Sequence, residues 1–323
     1  MTAMIKVKHT LIDETTIREL LQHYELKTIK QCRFLTRGLN DTYYIEDENN
    51  AYIFRVYRHT WRDKSAILFE VDALNHLKEK NYPISFPLKK KDGSYLCKIK
   101  APEGLRYGVL FSYANGERPR VNTDNSHLMG KSLGKMHVQM DSFQTQQTRG
   151  FQIDATYLLD QPASFITPVL YTYFDKDAVK TFEDTIENIK KVLAEKDLEI
   201  GFCHGDFHNH HMHIHHNKLK IFGFDRSAVG YRAYDIAVSW WNLITNYKND
   251  EKRCWEAFMQ GYLNERDLKK DDFGVLPFLI TARRIWLIGT MLENEDVWGR
   301  NWINKQALEL FLLQVKTDHV TGN

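Results

Sequence analysis

The chain has 323 residues, of which 43% are hydrophobic and 13% aromatic, and its formal net charge at pH 7 is +2. This composition supplies a large core and excludes a disordered scaffold. The nearly balanced charge gives no electrostatic case for nucleic-acid binding, which usually comes with a strongly basic domain.

The cysteines and the apolar segments indicate the compartment. Four cysteines are scattered along the chain without a C-x-x-C pair, which is typical of structural thiols in a reducing cytosol. Residues 1–16 contain no apolar core of signal-peptide length. The most apolar late stretch, residues 275–292, carries Arg283 and Arg284 at its centre, which indicates a buried or cleft-lining helix and not a membrane span. We therefore expect a soluble cytoplasmic protein without a membrane or nucleic-acid partner, and the sequence leaves its oligomeric state open.

The first third of the chain is predicted to be rich in strands. Runs of β-branched and aromatic residues predict strands at 33–39, 42–45, 52–57, 95–99 and 108–113. A polar turn at residues 46–50 joins two of these runs into a hairpin. Residues 14–25 look helical, and apolar residues between 64 and 80 recur at helical spacing, which predicts a longer helix.

The remainder of the chain is predicted to be mainly helical. Helices are predicted at 125–140, 177–195, 233–247, 251–264 and 275–293. A strand–turn–strand island interrupts them at residues 202–226. This order of elements predicts an α+β fold with two lobes, residues 1–114 and 115–323, and a boundary near 114–118.

The island carries the residues that are best suited to catalysis. Asp206 lies in the sequence CHGDFHNHH, between apolar strands, so we expect its carboxylate to be exposed on a rigid support. A second carboxylate, Asp225, ends the apolar run IFGFD. Phosphoryl transfer needs one carboxylate to orient a hydroxyl and another to hold a metal ion, and the rest of that catalysis is positioning and charge neutralisation.

The motif HGDFH, the run IFGFD and the later GYRAYDIA resemble the aminoglycoside phosphotransferase superfamily, over most of residues 30–300. That superfamily includes choline and homoserine kinases and shares the protein-kinase fold. The resemblance implies a small, β-rich N-terminal lobe with one long helix and a larger, mainly helical C-terminal lobe that holds the catalytic and substrate sites. It also implies that Asp206 accepts or orients the substrate hydroxyl, that His204 braces the loop and that Asp235 anchors it.

The same resemblance implies a nucleotide site, for ATP or GTP, in the N-terminal lobe. Its candidate residues are Asn40, Thr42, Arg55, Glu70, Phe111 and Tyr113. Arg55 takes the place of the usual phosphate-binding lysine, and its charged fork can grip phosphate oxygens. Glu70 is implied to be the carboxylate partner of Arg55.

Two positions depart from the family pattern. His211 stands where the family has a metal-binding Asn, and Gly223 stands where it has a metal-binding Asp. Glycine offers no ligand atom, and an imidazole nitrogen suits Zn²⁺ or Mn²⁺ better than Mg²⁺. Asp225 shares a face with position 223 if the segment is a strand, but at a displacement of about 6–7 Å. We take Asp225 and His211 as the candidate metal ligands, with Mg²⁺ expected from the family and Mn²⁺ or Zn²⁺ open.

Histidines are concentrated around Asp206, since seven of the 14 in the chain lie between 204 and 216. His208 and His211 are candidates for a role at the site, with a solvated hairpin as the alternative. His208 joins Asp206 and His204 as a candidate catalytic residue. His213, His215 and His216 are interpreted as solvated residues of a hairpin.

These patterns support one main functional hypothesis and two alternatives. The main hypothesis is transfer of the γ-phosphoryl group of ATP or GTP to a hydroxyl of a small molecule, such as an antibiotic, an amino alcohol or a similar metabolite. The first alternative is a catalytically impaired pseudokinase that binds nucleotide or another ligand, because Gly223 removes a metal ligand. The second is a kinase fold that uses a histidine-bound transition metal for other chemistry.

Overall fold

The computed structural model describes residues 6–317, so residues 1–5 of the N-terminal segment discussed above lie outside the described part. The chain divides into two compact units. The first comprises the chain up to Gly116 with Gln144–Arg149 and Lys220–Phe222. The second comprises Glu117–Phe143, Gly150–Leu219 and the chain from Gly223 onward.

The first unit is built on a five-stranded antiparallel sheet with two helices. Its strands are β1 Gln31–Arg37, β2 Asp41–Glu46, β3 Ala51–Val56, β4 Cys97–Ala101 and β5 Gly104–Ser112, in the spatial order β1-β2-β3-β5-β4. Its helices are α1 Glu14–Leu21 and α2 Lys64–Glu79. Buried residues alternate along β2 and β3, because one face of the sheet packs on the core. Asp63 caps α2 by accepting the backbone N–H of Ala66 at 2.7 Å.

The β2–β3 hairpin confirms the predicted turn at residues 46–50. The side chain of Asp47 accepts the backbone N–H groups of Asn49 and Asn50, both at 2.8 Å, which is a common way for aspartate to stabilise a tight turn. The register of the hairpin places Thr42 directly opposite Arg55. Two of the predicted nucleotide-site residues are therefore neighbours across the sheet.

The second unit is mainly helical. Its helices are α3 Thr123–Met140, α4 Gln161–Tyr173, α5 Lys176–Ala194, α6 Ala233–Asn246, α7 Glu251–Leu263, α8 Lys270–Gly274, α9 Leu276–Glu293, α10 Glu295–Trp298 and α11 Lys305–Thr317. The five predicted helices of this region correspond to α3, α5, α6, α7 and α9. Helix α9 is buried on most of its surface and packs against α4 and α6. Across residues 6–317, no helix has the length and apolarity needed to cross a membrane.

Short strands accompany the loop that contains Asp206. Strand β6 (Ile200–Cys203) pairs antiparallel with β9 (Ala228–Tyr231), and β7 (Met212–His215) and β8 (Lys218–Ile221) form a two-stranded sheet. These strands and two short 3₁₀ turns, Asn209–His211 and Phe224–Arg226, make up the predicted island.

One prediction about the island is wrong. The run IFGFD was expected to continue as a strand to Asp225, but β8 ends at Ile221 and Phe224–Arg226 form a 3₁₀ turn. Gly223 causes the change, because its φ of +83° lies in the left-handed region that favours glycine. The alternation argument that placed positions 223 and 225 on one face of a strand therefore does not hold.

Candidate active site

The loop that carries Asp206 is tied to helix α6 through its backbone. The buried carboxylate of Asp235 accepts the N–H groups of His204 at 2.7 Å and Gly205 at 2.8 Å. Gly205 has a φ of +80°, and a β-carbon there would collide with the carbonyl oxygen of Arg226, so the turn requires glycine. The loop is therefore a rigid support for the next residue, Asp206.

His204 lies beneath the loop and is fully buried. Its Nδ1 accepts the backbone N–H of Asp206 at 3.2 Å. Its ring packs against Phe224 with ring centroids 4.5 Å apart. The ring therefore holds the backbone on which the Asp206 side chain is mounted.

The carboxylate of Asp206 is surrounded by nitrogen donors. Its Oδ1 accepts from Nη2 of Arg283 at 2.5 Å and lies 3.2 Å from Nε2 of His208, while its Oδ2 lies 3.5 Å from Nδ1 of His211. Burial by itself would raise the pKa of Asp206, but the Arg283 guanidinium, followed by the two histidines, holds that pKa well below its usual range. Asp206 is therefore ionised throughout the neutral range.

Arg283 is the residue of this site that the sequence reasoning missed. It comes from helix α9 and is 3% exposed, and its guanidinium contacts the rings of Trp241 and Trp286, at 4.8 and 4.7 Å from their centroids. The available signal was an arginine in the middle of the most apolar stretch, since a buried arginine needs a carboxylate partner.

The hydrogen bonds of His208 and His211 define where their ring protons lie. Nδ1 of His211 is 2.8 Å from the carbonyl oxygen of Asp206, and a carbonyl only accepts, so Nδ1 carries the proton and Nε2 the lone pair. Nδ1 of His208 accepts the N–H of His210 at 3.3 Å, so Nε2 donates to Asp206. Burial lowers the pKa of His208 to about 4, which leaves this ring neutral at pH 7.

Three of the predicted catalytic and metal-binding residues lie together in the structure, and the predicted metal ligand Asp225 lies apart from them. Asp206, His208 and His211 each present a ligand-type atom, and these atoms lie within 4.8 Å of one another. Asp225 does not belong to this group within residues 6–317. A β-carbon on Gly223 would lie 2.9 Å from two ring carbons of His211, so the two departures from the family pattern occupy adjoining space.

In the first unit, Arg55 and Glu70 form an ion pair between β3 and α2. Nη1 of Arg55 donates to Oε1 of Glu70 at 2.7 Å, and the Tyr57 hydroxyl donates to Oε2 at 2.9 Å. Glu70 is fully buried, so both of its oxygens are held in place. Asn40, close to the start of β2, accepts the backbone N–H of Arg58 with its side chain at 3.4 Å.

Phe111 and Tyr113 lie at and just after the end of β5. The guanidinium of Arg55 stacks over the Phe111 ring at 4.9 Å. The Tyr113 N–H donates to the carbonyl of Ala51 at 3.2 Å, and the Tyr113 carbonyl accepts from Lys220 at 2.8 Å. Both backbone groups of Tyr113 therefore have partners inside the first unit.

Comparison with known sequences places the chain among phosphotransferases. Residues 31–272 match the phosphotransferase enzyme family. An uncharacterized protein from Deinococcus radiodurans is 29% identical over 94% of this chain and 89% of its own length. Another from Synechocystis sp. is 30% identical over 88% of this chain and 79% of its own length. A homoserine kinase from Zymomonas mobilis is 21% identical over 72% of this chain and 71% of that enzyme.

Solved structures show the same fold at low sequence identity. An amicoumacin kinase, solved with AMP-PNP and Ca²⁺, has a TM-score of 0.77 and 18% identity over 96% of this chain and 94% of that chain. A microcompartment-associated aminopropanol kinase has a TM-score of 0.74 and 18% identity over 96% of both chains. These likenesses confirm the predicted α+β, kinase-like fold. With a family match that spans residues 31–272, they show that the protein belongs to the phosphotransferase enzyme family.

Proposed function

We propose that this protein transfers the γ-phosphoryl group of ATP or GTP to a hydroxyl group of a small molecule. The observation that carries the proposal is the Asp206 carboxylate, which is ionised and mounted on a loop that Asp235 anchors through two backbone hydrogen bonds. A fixed carboxylate is the group that phosphoryl transfer uses to orient an attacking hydroxyl.

The two oxygens of Asp206 have different roles in this proposal. Oδ1 is occupied by Arg283 and His208, so we assign Oδ2 to the substrate hydroxyl. A carboxylate with a depressed pKa is a weak base, but phosphoryl transfer proceeds through a loose transition state that needs orientation more than proton abstraction. His204 acts through the backbone of Asp206, and we propose that His208 helps to hold the carboxylate.

We propose that the first unit binds the nucleotide. The Arg55 guanidinium, oriented by Glu70, would grip phosphate oxygens, and the hairpin residues Asn40 and Thr42 would cover them. Phe111 and Tyr113 would lie along the base. The acceptor belongs to the antibiotic, amino alcohol or related metabolite classes, and the names of the homoserine, aminopropanol and amicoumacin kinases support this range.

Magnesium does not fit the residues at the family's metal positions. Gly223 offers no ligand, and a carboxylate there would meet left-handed backbone strain at φ +83° and the His211 ring, which lies 2.9 Å from the position of a β-carbon. His211 offers nitrogen where Mg²⁺ prefers oxygen. Asp225 remains a proposed ligand for an ion that accompanies the nucleotide, and no step of the proposed reaction depends on Mg²⁺.

The same misfit supports a second candidate function. A protein of this fold that lacks the metal-binding Asp can bind nucleotide or another ligand without transferring phosphate. Gly223 is the observation that favours this alternative.

Transfer from γ-labelled ATP and GTP across a library of small alcohols and amino alcohols tests both candidates. We expect wild-type transfer to fall by about 10²–10⁴-fold in Asp206→Asn. His213→Ala, in the same segment but outside the cluster, should keep the wild-type rate. Equal rates in wild type and Asp206→Asn, with nucleotide binding retained, would reject the enzyme and favour the pseudokinase.

A further inference from the structure

We propose that Asp206, His208 and His211 form a binding site for one divalent transition-metal ion of the Zn²⁺ class. The inference rests on the positions of these three side chains and not on phosphotransfer. The site keeps His211 from the ligand pair expected from the sequence and joins it with Asp206 and His208, because Asp225 lies outside the cluster within the described residues.

The geometry brings three ligand atoms close to a common point. They lie within 4.8 Å of one another, whereas ligands about 2.0–2.2 Å from one tetrahedral ion lie about 3.3–3.6 Å apart. Closing the site therefore requires the ligand atoms to approach one another by about 1 Å. The side chains of Asp206, His208 and His211 are 16%, 13% and 26% exposed, so an ion can reach them from solvent.

The backbone between the ligands is held in place. Asn209 is buried, and its side-chain amide donates to the carbonyl of Pro119 at 3.3 Å and to the Tyr247 hydroxyl at 3.1 Å. Asp235 holds the other end of the loop. A loop fixed at both ends loses little conformational entropy when an ion binds, which favours binding.

The donor types select the ion. Two imidazoles and one carboxylate suit Zn²⁺, Mn²⁺, Co²⁺ or Ni²⁺, whereas Mg²⁺ requires oxygen ligands. His211 donates Nδ1–H to a backbone carbonyl, which orients the ring and leaves Nε2 as the ligand atom, an arrangement usual for metal-bound histidine. Arg283 holds Oδ1 of Asp206, so the ion takes Oδ2 and competes there with the substrate hydroxyl of the proposed reaction.

Two features of the site oppose binding and limit its affinity. The Arg283 guanidinium places a positive charge beside the carboxylate. Nε2 of His208 must also give up its proton, and the proton moves to Nδ1 at the loss of the 3.3 Å hydrogen bond from His210. Since that hydrogen bond is long, its loss costs little.

Gly223 and His211 together change the metal preference of the site from Mg²⁺ to a transition metal of the Zn²⁺ class. The His211 ring occupies the space that a carboxylate at position 223 would need. A residue pair that removes the oxygen ligands for Mg²⁺ thus brings a nitrogen ligand next to Asp206 and His208.

The histidines of the β7–β8 segment are the main rival site. His215 and His216 have ring centroids 4.0 Å apart, and His213 lies on the same strand as His215. A matched control therefore replaces all three, as His213→Ala/His215→Ala/His216→Asn. Asparagine is chosen at 216 because φ is +48° there.

The experiment is a titration of the metal-free, full-length protein with Zn²⁺ alone, in competition with a chromophoric chelator at pH 7 and in the presence of millimolar Mg²⁺. We expect one bound ion per chain in wild type. His208→Ala and His211→Ala should each weaken binding by at least about tenfold. The triple control should bind as wild type does. Co²⁺ should give visible d–d bands with wild type that His211→Asn loses.

Three outcomes would overturn the site: unchanged Zn²⁺ affinity in the double variant His208→Ala/His211→Ala, loss of binding in the triple control alone, or displacement of Zn²⁺ by millimolar Mg²⁺. Circular dichroism of His211→Asn, which keeps a polar side chain, separates loss of a ligand from loss of the fold. Because no nucleotide is present, a protein that binds Zn²⁺ but transfers no phosphate fails the proposed function and still supports the site.

Discussion

At the scale of single residues, Asp206 and Arg283 form the strongest electrostatic contact of the site. The carboxylate is 16% exposed and the guanidinium 3% exposed, so little water screens the pair. Removing one partner of such a pair costs much more than replacing both, because it leaves a charge desolvated and unpaired. Contacts with the indole rings of Trp241 and Trp286 restrict the orientation of the Arg283 guanidinium beside Asp206.

A double-mutant cycle measures this contact. We predict that Asp206→Asn and Arg283→Met are coupled by about 2 kcal/mol in the free energy of unfolding. Each single variant already breaks the hydrogen-bonded, part-buried charge pair, so the double variant loses that interaction only once. Urea unfolding of the four proteins provides the measurement. Additive effects, within about 0.5 kcal/mol, would show that the pair contributes nothing beyond its separate residues.

Gly223 has a second residue-scale consequence. We predict that Gly223→Asp destabilises the protein and restores no magnesium dependence, because a side chain there meets both left-handed strain and the His211 ring at 2.9 Å. The double variant Gly223→Asp/His211→Asn should regain the part of the lost stability that is due to contact with the His211 ring. Thermal melts with and without Mg²⁺ check both statements.

Gly150→Asp is the matched control for that experiment. Gly150 has a φ of +81° and no atom within 4 Å of a β-carbon, so this substitution adds backbone strain alone. The loss in Gly223→Asp should exceed the loss in Gly150→Asp. Equal losses would mean that His211 does not restrict position 223.

At the scale of elements, His137 links three helices of the second unit. It lies on α3, fully buried, and its ring nitrogens are 3.3 Å from the Asp235 carboxylate on α6 and 3.0 Å from the Tyr262 hydroxyl on α7. Burial lowers the pKa of His137, although Asp235 acts in the opposite direction. Asp235 also anchors the Asp206 loop, so this link supports the site from below.

The lowered pKa of His137 predicts a pH dependence of stability. Unfolded chains bind a proton at His137 near pH 6.5, whereas the folded chain does not, so stability should fall as the pH drops below about 6.5. His208, with its pKa of about 4, acts in the same direction. His137→Gln should therefore lose less stability than the wild type when the pH falls from 7 to 5. Urea unfolding at pH 7 and pH 5 measures it, with His127→Gln on the same helix as the control. An unchanged slope in His137→Gln would rule out this account.

Two of the longer helices escaped prediction for different reasons. Helix α4 contains Pro168 in its interior, and an internal proline normally indicates a helix end. Packing of its buried residues, among them Ile166 and Leu170, outweighs that penalty. Helix α11 buries Leu308, Phe311 and Val315 at helical spacing, so its pattern was readable and was overlooked.

At the scale of the whole molecule, nucleotide binding should raise the stability of the folded chain. A ligand at a hundred times its dissociation constant adds about 2.7 kcal/mol. We predict a thermal shift with a non-hydrolysable ATP analogue that Arg55→Met abolishes and Arg55→Lys largely keeps, because lysine retains the charge beside Glu70. Tyr57→Phe, which removes only the hydroxyl bond to Glu70, should keep the shift. An equal shift in Arg55→Met would remove Arg55 from the nucleotide site.

Sequence alone determined the fold class and most of the elements, because helical spacing, strand alternation and turn residues such as Asp47 act over short distances along the chain. It also predicted Asp206 as the candidate catalytic residue, since the HGDFH loop is a contiguous motif. Only the tertiary structure decided what surrounds that carboxylate. Arg283 is 77 residues away in sequence, and it reaches Asp206 because α9 packs against α6. The left-handed turn at Gly223 and the position of the His211 ring likewise depend on contacts between segments, which no local pattern encodes.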